Sequence, residues 1–200
     1  MFRVTRHLVL AGAGLAAVLA LSACGSDTDS AGSMTGMSGH GPNSSTSSTS
    51  AASSSRAGDV MFAQMMVPHH RQAIEMADVA LANDAASGQV RTLAEQIKGA
   101  QDPEIQTMQG WLREWGAPTT ATMDHGSGGM MSEQDMAALK VAQGPEFNRM
   151  WLHMMIEHHQ GAVTQAQDVL STTADPRVRQ LAQSIVDGQQ KEITTMKGML

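Results

Sequence analysis

The stretch MMVPHH at residues 65–70 occurs a second time as MMIEHH at residues 154–159. The similarity continues on both sides of this motif, at Asp59 and Asn148, Phe62 and Trp151, Ala73 and Ala162, Ala77 and Ala166, and in VRTLAEQI at 90–97 and VRQLAQSI at 178–185. The chain therefore contains an internal duplication, whose copies we place at residues 59–112 and 148–200.

Each copy is predicted to fold as a helical hairpin. Its apolar residues recur with the period of an amphipathic helix and are interrupted once by a turn. The turns are NDAASG at 83–88 and STTADP at 171–176, and Asp175 is expected to cap a helix that begins with Pro176. Two such hairpins predict an all-α fold, a four-helix bundle built from two duplicated halves.

Two further features modify this pattern of two helical hairpins. The pair Asp102–Pro103 is predicted to kink or restart the second helix of the first copy. Between the copies, a short extra helix is predicted at about residues 133–143, capped by Ser132 and closed by Gly144–Pro145.

The histidines of the motif are predicted to face the interior of the bundle. At 100° per residue, the polar side chains of each motif helix gather on one side and the motif lies opposite them. The inward residues are His69, His70, Met65 and Met66 in the first copy and His158, His159, Met154 and Met155 in the second. The second helix of each copy adds an inward carboxylate and a methionine, Glu104 with Met108 and Glu192 with Met196. His153 falls on the polar face.

This collection of inward polar groups indicates a metal site. Burying an unpaired polar side chain costs a few kcal/mol, so the four imidazoles need partners. Hydrogen bonds between His and Glu would supply them without a metal, and methionine at helical spacing is usually packing. Two Met/His clusters in Gly- and Ser-rich segments with no core to fill nevertheless favour a metal. Their residues are Met34, Met37 and His40, and Met123, His125, Met130 and Met131.

The combination of Met and His without a thiolate favours copper. Thioether suits Cu(I), whereas imidazole also suits Cu(II) and zinc. We therefore expect copper, with Cu(I) favoured, at the eight inward Met and His side chains. Looser binding is expected at a second set, Glu104, Glu192, Met108, Met196, Met123, His125, Met130, Met131, Met34, Met37 and His40. The sequence leaves open whether each copy makes its own site or all four histidines converge on one.

The N-terminal residues predict export and a lipid anchor. Residues 1–23 combine a basic start with a short apolar run, and LSAC at their end resembles a bacterial lipoprotein cleavage site. The alternative is an ordinary secretory signal followed by a chance cysteine. Acylation at Cys24, the only cysteine, would leave residues 24–57, rich in Ser and Gly, as a flexible tether to a folded domain at 58–200. Cleavage removes two arginines, so the formal charge of −6 becomes −8, which argues against nucleic acid as a partner.

The chain resembles the bacterial Domain of Unknown Function 305 family in three features. These are the doubled M-M-x-x-H-H motif, the alanine three residues after each motif, and the downstream E-I-x-x-M. The resemblance covers roughly residues 58–200. It implies a ferritin-like bundle in an exported protein associated with copper binding and resistance, with the motif methionines and histidines as its matching residues. Asn148 departs from the family pattern, because an acid like Asp59 is expected there. The two sites are unequal if that acid binds metal, whereas a helix cap accepts Asn as well.

These observations predict a lipid-anchored, extracytoplasmic copper-binding protein that sequesters copper or hands it on without catalysing a reaction. A ferritin-like di-metal oxidase is the enzymatic alternative. Such sites take carboxylates from all four helices, including Glu-x-x-His pairs, and only Glu104 and Glu192 are inward here. A metal-independent helical interaction module is the other alternative. A metal ion and the membrane are the expected partners, and a homo-oligomer or a copper-transfer partner stays open.

Overall fold

The computed structural model describes residues 46–119 and 128–200, with side chains from residue 53 onward. Its helices are α1 (Thr46–Ala82), α2 (Gly88–Glu114), α3 (Glu133–Val141), α4 (Gly144–Thr172) and α5 (Pro176–Met199). This part of the chain contains no strand, and none of its helices is both long and apolar enough to cross a membrane. α1 packs against α2 and α4 against α5, while α1 and α4 join the two hairpins. The predicted all-α four-helix bundle, with a short helix between its halves, is confirmed.

The same arginine hydrogen bonds to backbone carbonyls stabilise the hairpin turn in both copies. Arg91 donates to the backbone carbonyls of Leu81 (2.7 Å), in the last turn of α1, and of Asn83 (2.6 Å), just after that helix. In the second copy, Arg179 donates to the carbonyl of Leu170 at 3.2 Å and to that of Thr173. A guanidinium at the C-terminal end of a helix satisfies carbonyls that have no partner inside the helix and complements the helix dipole. This role explains why both copies contain Val-Arg at the start of their second helix.

The predicted helix starts also agree with the structure. The Ser87 side chain accepts from the backbone amide of Val90, and Asp175 accepts from that of Arg177. Pro176 opens α5 as expected. Ser132 forms a reciprocal capping box with Asp135 at the start of α3.

Three predicted boundaries differ from the structure. Gly144 and Pro145, which were predicted to close the short helix, begin α4 instead, and α3 ends at Val141. α1 begins at Thr46, so the last part of the predicted tether is helical. It is anchored by Ser55, which accepts from the amide of Ala174 at 2.8 Å, and by Arg56, which lies 3.4 Å from Asp175. α2 also runs unbroken through Pro103, because Gln101 and Ile105 on either side are buried and hold the helix in place.

The core consists of two apolar clusters with the histidines between them. One contains Phe62 and Met66 of α1 and the α4 residues from Ala162 to Val169. The other contains Met76 of α1 together with Phe147 and Trp151 of α4. Since the first part of α1 meets the last part of α4, these helices run antiparallel, and the histidines of both fall near the middle of the bundle. The Trp151 indole, which donates to the Met76 carbonyl at 2.9 Å, links the two helices.

Gly128 and Gly129, in the connection between the copies, lie directly against α4. An ideal Cβ added to Gly161 would come within 1.9 Å of the Gly128 carbonyl oxygen and 2.8 Å of the Gly129 Cα. Gln72 of α1 holds Met131, two residues after Gly129, through both of its backbone polar groups, at 2.7 and 2.9 Å. Gly161 is therefore required for backbone to approach backbone at this point.

Replacing Gly161 with alanine is expected to lower the free energy of unfolding by about 1–3 kcal/mol, because the new methyl group collides with the Gly128 carbonyl. The matched control is Gly188→Ala on the exposed side of α5, where an added Cβ meets nothing within 4 Å. That variant should gain up to about 1 kcal/mol from helix propensity. Urea unfolding followed by circular dichroism measures both, and equal effects of the two alanines would contradict the close approach.

Candidate metal centre

The centre of the bundle brings together one histidine from each copy. The rings of His69 on α1 and His158 on α4 lie 3.7 Å apart between centroids, tilted by 37°. Both side chains are buried, with 1% and 0% of their surface exposed. The prediction that the histidines point inward is confirmed, and the two copies meet at a shared central pair.

A second histidine of each copy is paired with the inward glutamate of the same copy. His70 donates from Nε2 to Glu104 at 2.8 Å, and His159 donates from Nε2 to Glu192 at the same distance. The imidazoles are fully buried, whereas about a fifth of each glutamate side chain is exposed. The two outer pairs are thus equivalent, as the duplication predicts.

The oxygen partners fix which ring nitrogen carries the proton. His69 contacts the Gly128 carbonyl through Nε2 at 3.2 Å, and a carbonyl can only accept a hydrogen bond. Nε2 of His69 therefore donates, as Nε2 of His70 and His159 does to the carboxylates. Because burial keeps the His69 ring neutral, its Nδ1 carries a free lone pair.

The Nδ1 atoms of these three rings are buried and have no hydrogen-bond partner among the described residues, and neither nitrogen of His158 makes a hydrogen bond of normal geometry there. A ring that donates from one nitrogen to a carboxylate or carbonyl and offers the other is the arrangement of metal-bound histidine. The imidazoles therefore fit a metal ion better than they fit a core closed by hydrogen bonds alone.

Burial keeps the central pair neutral. It lowers the pKa of His69 to about 3, and charge repulsion from His70 adds to the shift, whereas the hydrogen bond with Gly128 opposes it. Burial also holds the pKa of His158 well below the usual value, with repulsion from His69 as the next cause. Only a neutral imidazole has the lone pair that a metal ion needs.

The methionines of the motif occupy two kinds of environment. Met66, Met154 and Met155 are buried in the apolar clusters, as are Met108 and Met196 beside the paired glutamates. Met65 is half-buried and lines a cavity between α1 and α4. Among residues 46–119 and 128–200, no three His, Cys, Asp or Glu side chains converge as ligands of one ion. The role of the methionines as ligands stays a prediction.

The looser predicted ligands are only partly covered by the structure. Cys24, Met34, Met37, His40, Met123 and His125 lie outside the described residues, as do the predicted signal and most of the tether. Met130 is half-buried, and Met131 is 8% exposed within an apolar cluster. The expectation that this segment has no core to fill is therefore wrong for Met131, which the Gln72 hydrogen bonds draw onto α1.

Asn148 has a structural role. Its side-chain oxygen accepts from the amide of Ser87 at 2.8 Å, and its nitrogen donates to the carbonyl of Ala85 at 2.9 Å. It thereby ties α4 to the turn of the first hairpin. Asp59 lies 4.0 Å from Arg56 in the same helix.

Sequence reasoning missed the backbone partner of the central pair. The Gly128 carbonyl carries no side-chain signal, and it accepts from both His69 and Gln165, each at 3.2 Å. Gln101 and Gln189 do share the predicted inner face. Both are buried, and both amide atoms of Gln101 have no partner among the described residues.

The stability of the metal-free protein is expected to fall as the pH falls from 6.5 to 4.5. His69 and His158 have lower pKa values folded than unfolded, where histidine titrates near 6.5. The unfolded chain therefore binds more protons in this interval, and each histidine removes at most about 1.4 kcal/mol per pH unit. Asp175, whose pKa the Arg177 side chain lowers to about 2, titrates below the interval.

Urea unfolding at several pH values in the presence of a chelator measures this slope. The double variant His69→Gln, His158→Gln should flatten it, whereas His153→Gln on the exposed face of α4 should leave it unchanged. An identical slope in the double variant and the original chain would show that other groups cause the loss.

Comparison with known proteins places the fold in a family. The model of the family described as "Domain of unknown function (DUF305)" matches residues 59–200. A crystallised DUF305 fragment from Deinococcus radiodurans is 35% identical, with a TM-score of 0.66 over 71% of this chain and 94% of that one. A Streptomyces coelicolor DUF305 protein, described as a candidate secreted protein, is 31% identical, with a TM-score of 0.67 over 72% and 91%.

The protein CopM, solved in a Cu(I)-bound form, is 34% identical to this chain, with a TM-score of 0.60 over 70% of this chain and 94% of that one. The chain also matches a curated relative over 53 residues and spans 35% of that protein's length. The range matched by the family model includes both copies of the histidine motif. The chain belongs to the DUF305 family.

Proposed function

We propose that this protein binds copper at the centre of the bundle, on the outer side of the cell membrane, and sequesters it or hands it on. The observation that carries the proposal is the buried pair His69 and His158, whose rings face each other with unpaired nitrogens. Closing that centre with a metal ion removes the penalty of burying polar atoms without partners.

The donor set favours a soft ion. The central imidazoles are neutral, and the thioethers of Met65 and Met154 each lie four residues, about one helical turn, before them. Cu(I) accepts imidazole and thioether, and imidazole also accepts Cu(II). The formal charge of −6 favours the approach of a cation.

The comparisons support this choice. CopM has been solved in Cu(I)-bound, Cu(II)-bound and Ag-bound forms, and silver is another soft monovalent ion. The Streptomyces relative is described as a candidate secreted protein, in agreement with the export signal predicted at residues 1–23. Lipid anchoring through Cys24 is part of the proposal and rests on the sequence pattern alone.

Binding without turnover fits the described residues better than oxidase chemistry. A di-metal oxidase needs several carboxylates directly on the metal ions. Here Glu104 and Glu192 each accept a hydrogen bond from a histidine, which gives them an orienting role. A metal-independent module is the remaining alternative, and it has no use for the unpaired Nδ1 atoms.

A competition titration tests the proposal. The full chain, purified in detergent, competes for Cu(I) with a coloured chelator, and a variant with His69, His70, His158 and His159 replaced by Gln is titrated in parallel. Tight binding that is lost in the variant is expected. Equal binding by both chains would assign the copper to the Met-rich segments at 34–40 and 123–131. An absence of binding in both would remove copper from the function.

Replacing Glu104 or Glu192 with alanine should weaken Cu(I) binding by about 10- to 100-fold, because the paired imidazole loses the partner that orients it. Glutamine at the same position should lose less, since its amide oxygen can still accept from Nε2. The control is Glu157→Ala, which changes an exposed glutamate of α4. The same competition titration measures all of them, and wild-type affinity in both alanine variants would contradict the orienting role.

A further inference from the structure

A series of soft donors runs along α1 from the surface to the central histidine pair. Met61 lies one helical turn before Met65, which lies one turn before His69. Met61 is 44% exposed, Met65 is half-buried and His69 is 1% exposed. Four residues turn an α-helix by about 40° more than a full circle. The series therefore winds gradually from solvent into the bundle.

A cavity of about 330 Å³ lies beside the outer part of this series. Met61 and Met65 line it from α1, and Gln165 and Asp168 line it from α4. Asp168 is exposed, so it brings a carboxylate to the mouth of the cavity.

One residue of the cavity lining is linked to the central pair by hydrogen bonds. Gln165 donates to the Gly128 carbonyl, the same oxygen that accepts from His69, and its own side-chain oxygen has no partner among the described residues. Gln165, which lines the cavity, and His69 of the central pair thus share one hydrogen-bond acceptor.

Packing does not account for Met61. Its neighbour Phe62 is 5% exposed and fills the core, whereas Met61 leaves nearly half of its surface in solvent. The second copy repeats the spacing at Met150, Met154 and His158, but there Met150 packs against an apolar cluster. The copies therefore differ at this position, and the described residues give only the first copy an exposed thioether.

We propose that Met61 and Met65 form a surface site that captures Cu(I) and passes it to His69 and His158. The proposal rests on the proposed copper binding and adds the route by which the centre is loaded. Each transfer is a ligand exchange in which a copper–sulfur bond breaks as a copper–nitrogen bond forms. The copper stays Cu(I) throughout, so no electron donor or acceptor is needed. Asp168 attracts the cation, and the neutral thioethers hold it weakly enough to release it.

The rate of copper uptake tests the route. Cu(I) is presented without oxygen as its bicinchoninate complex to the full chain in detergent, and the loss of colour is followed by stopped flow. Met61→Leu keeps the side-chain volume but removes the sulfur. It should slow uptake by at least about fivefold, because Cu(I) is no longer concentrated beside His69. The final amount of bound copper should stay that of the wild type.

The matched control is Met150→Leu, the same change at the equivalent position of the second copy. Its uptake rate should stay within about twofold of the wild type, since Leu replaces a packed Met with little change in volume. Equal slowing by both variants would overturn the route, because the effect would not depend on the exposed position. Equal rates for the wild type and Met61→Leu would overturn the capture site and leave copper binding intact. No uptake by the wild type would overturn both proposals.

A direct measurement of contact complements the rates. Silver(I) is added in small amounts to the chain labelled with ¹³C at the methionine methyl groups. The Met61 resonance, identified by its loss in Met61→Leu, should shift before saturation. An unshifted Met61 resonance throughout the titration would overturn metal contact at this residue.

Discussion

The rings of His69 and His158 face each other across the two halves of the bundle, and charging both of them would destabilise the fold. Two positive charges about 4 Å apart repel by about 4 kcal/mol at an effective dielectric constant of 20. Burial lowers both pKa values and so avoids that repulsion. The same condition leaves lone pairs inside an apolar interior. The surrounding structure therefore has to hold two neutral imidazole rings in contact, with no shared proton between them.

Other elements of the bundle keep the two histidines buried and hold the rings in place. The two apolar clusters exclude water on either side of the histidines. Glu104 and Glu192 fix the outer imidazoles, and the Gly128 carbonyl fixes one ring of the central pair. The arginines at the hairpin turns hold each pair of helices in register, so that the inner faces of α1 and α4 meet at the motif. Site and fold thus depend on the same contacts.

The sequence predicted the parts of this arrangement that follow from periodicity. A helix of 3.6 residues per turn puts His69 and His70 on the face opposite its polar side chains, and the duplication repeats that result for His158 and His159. The turns and caps were equally predictable, because Ser132 and Asp175 act through local hydrogen bonds.

The remaining features depend on contacts between distant segments. Which histidine of one copy meets which of the other is set by the register of α1 against α4, and no local pattern encodes it. The Gly128 carbonyl is a backbone group, so its role cannot be predicted from the type of side chain. The helical start at Thr46 depends on contacts that Ser55 makes with Ala174 and Arg56 makes with Asp175, both in the second copy. Met131 is drawn into the core by Gln72, far away in the chain.

The segment that joins the copies breaks the equivalence of the two central histidines. Its Gly128 carbonyl, which lies against Gly161, accepts from His69, whereas neither nitrogen of His158 makes a hydrogen bond of normal geometry among the described residues. A symmetric dimer of one such hairpin would have two interchangeable central histidines and no connecting backbone at its axis. Fusing the hairpins into one chain gives the first histidine a carbonyl partner from the connecting segment, which fixes its tautomer, and gives the second histidine no such partner. The two positions are therefore under different constraints, and a mutation at His69 and the same mutation at His158 are chemically distinct events.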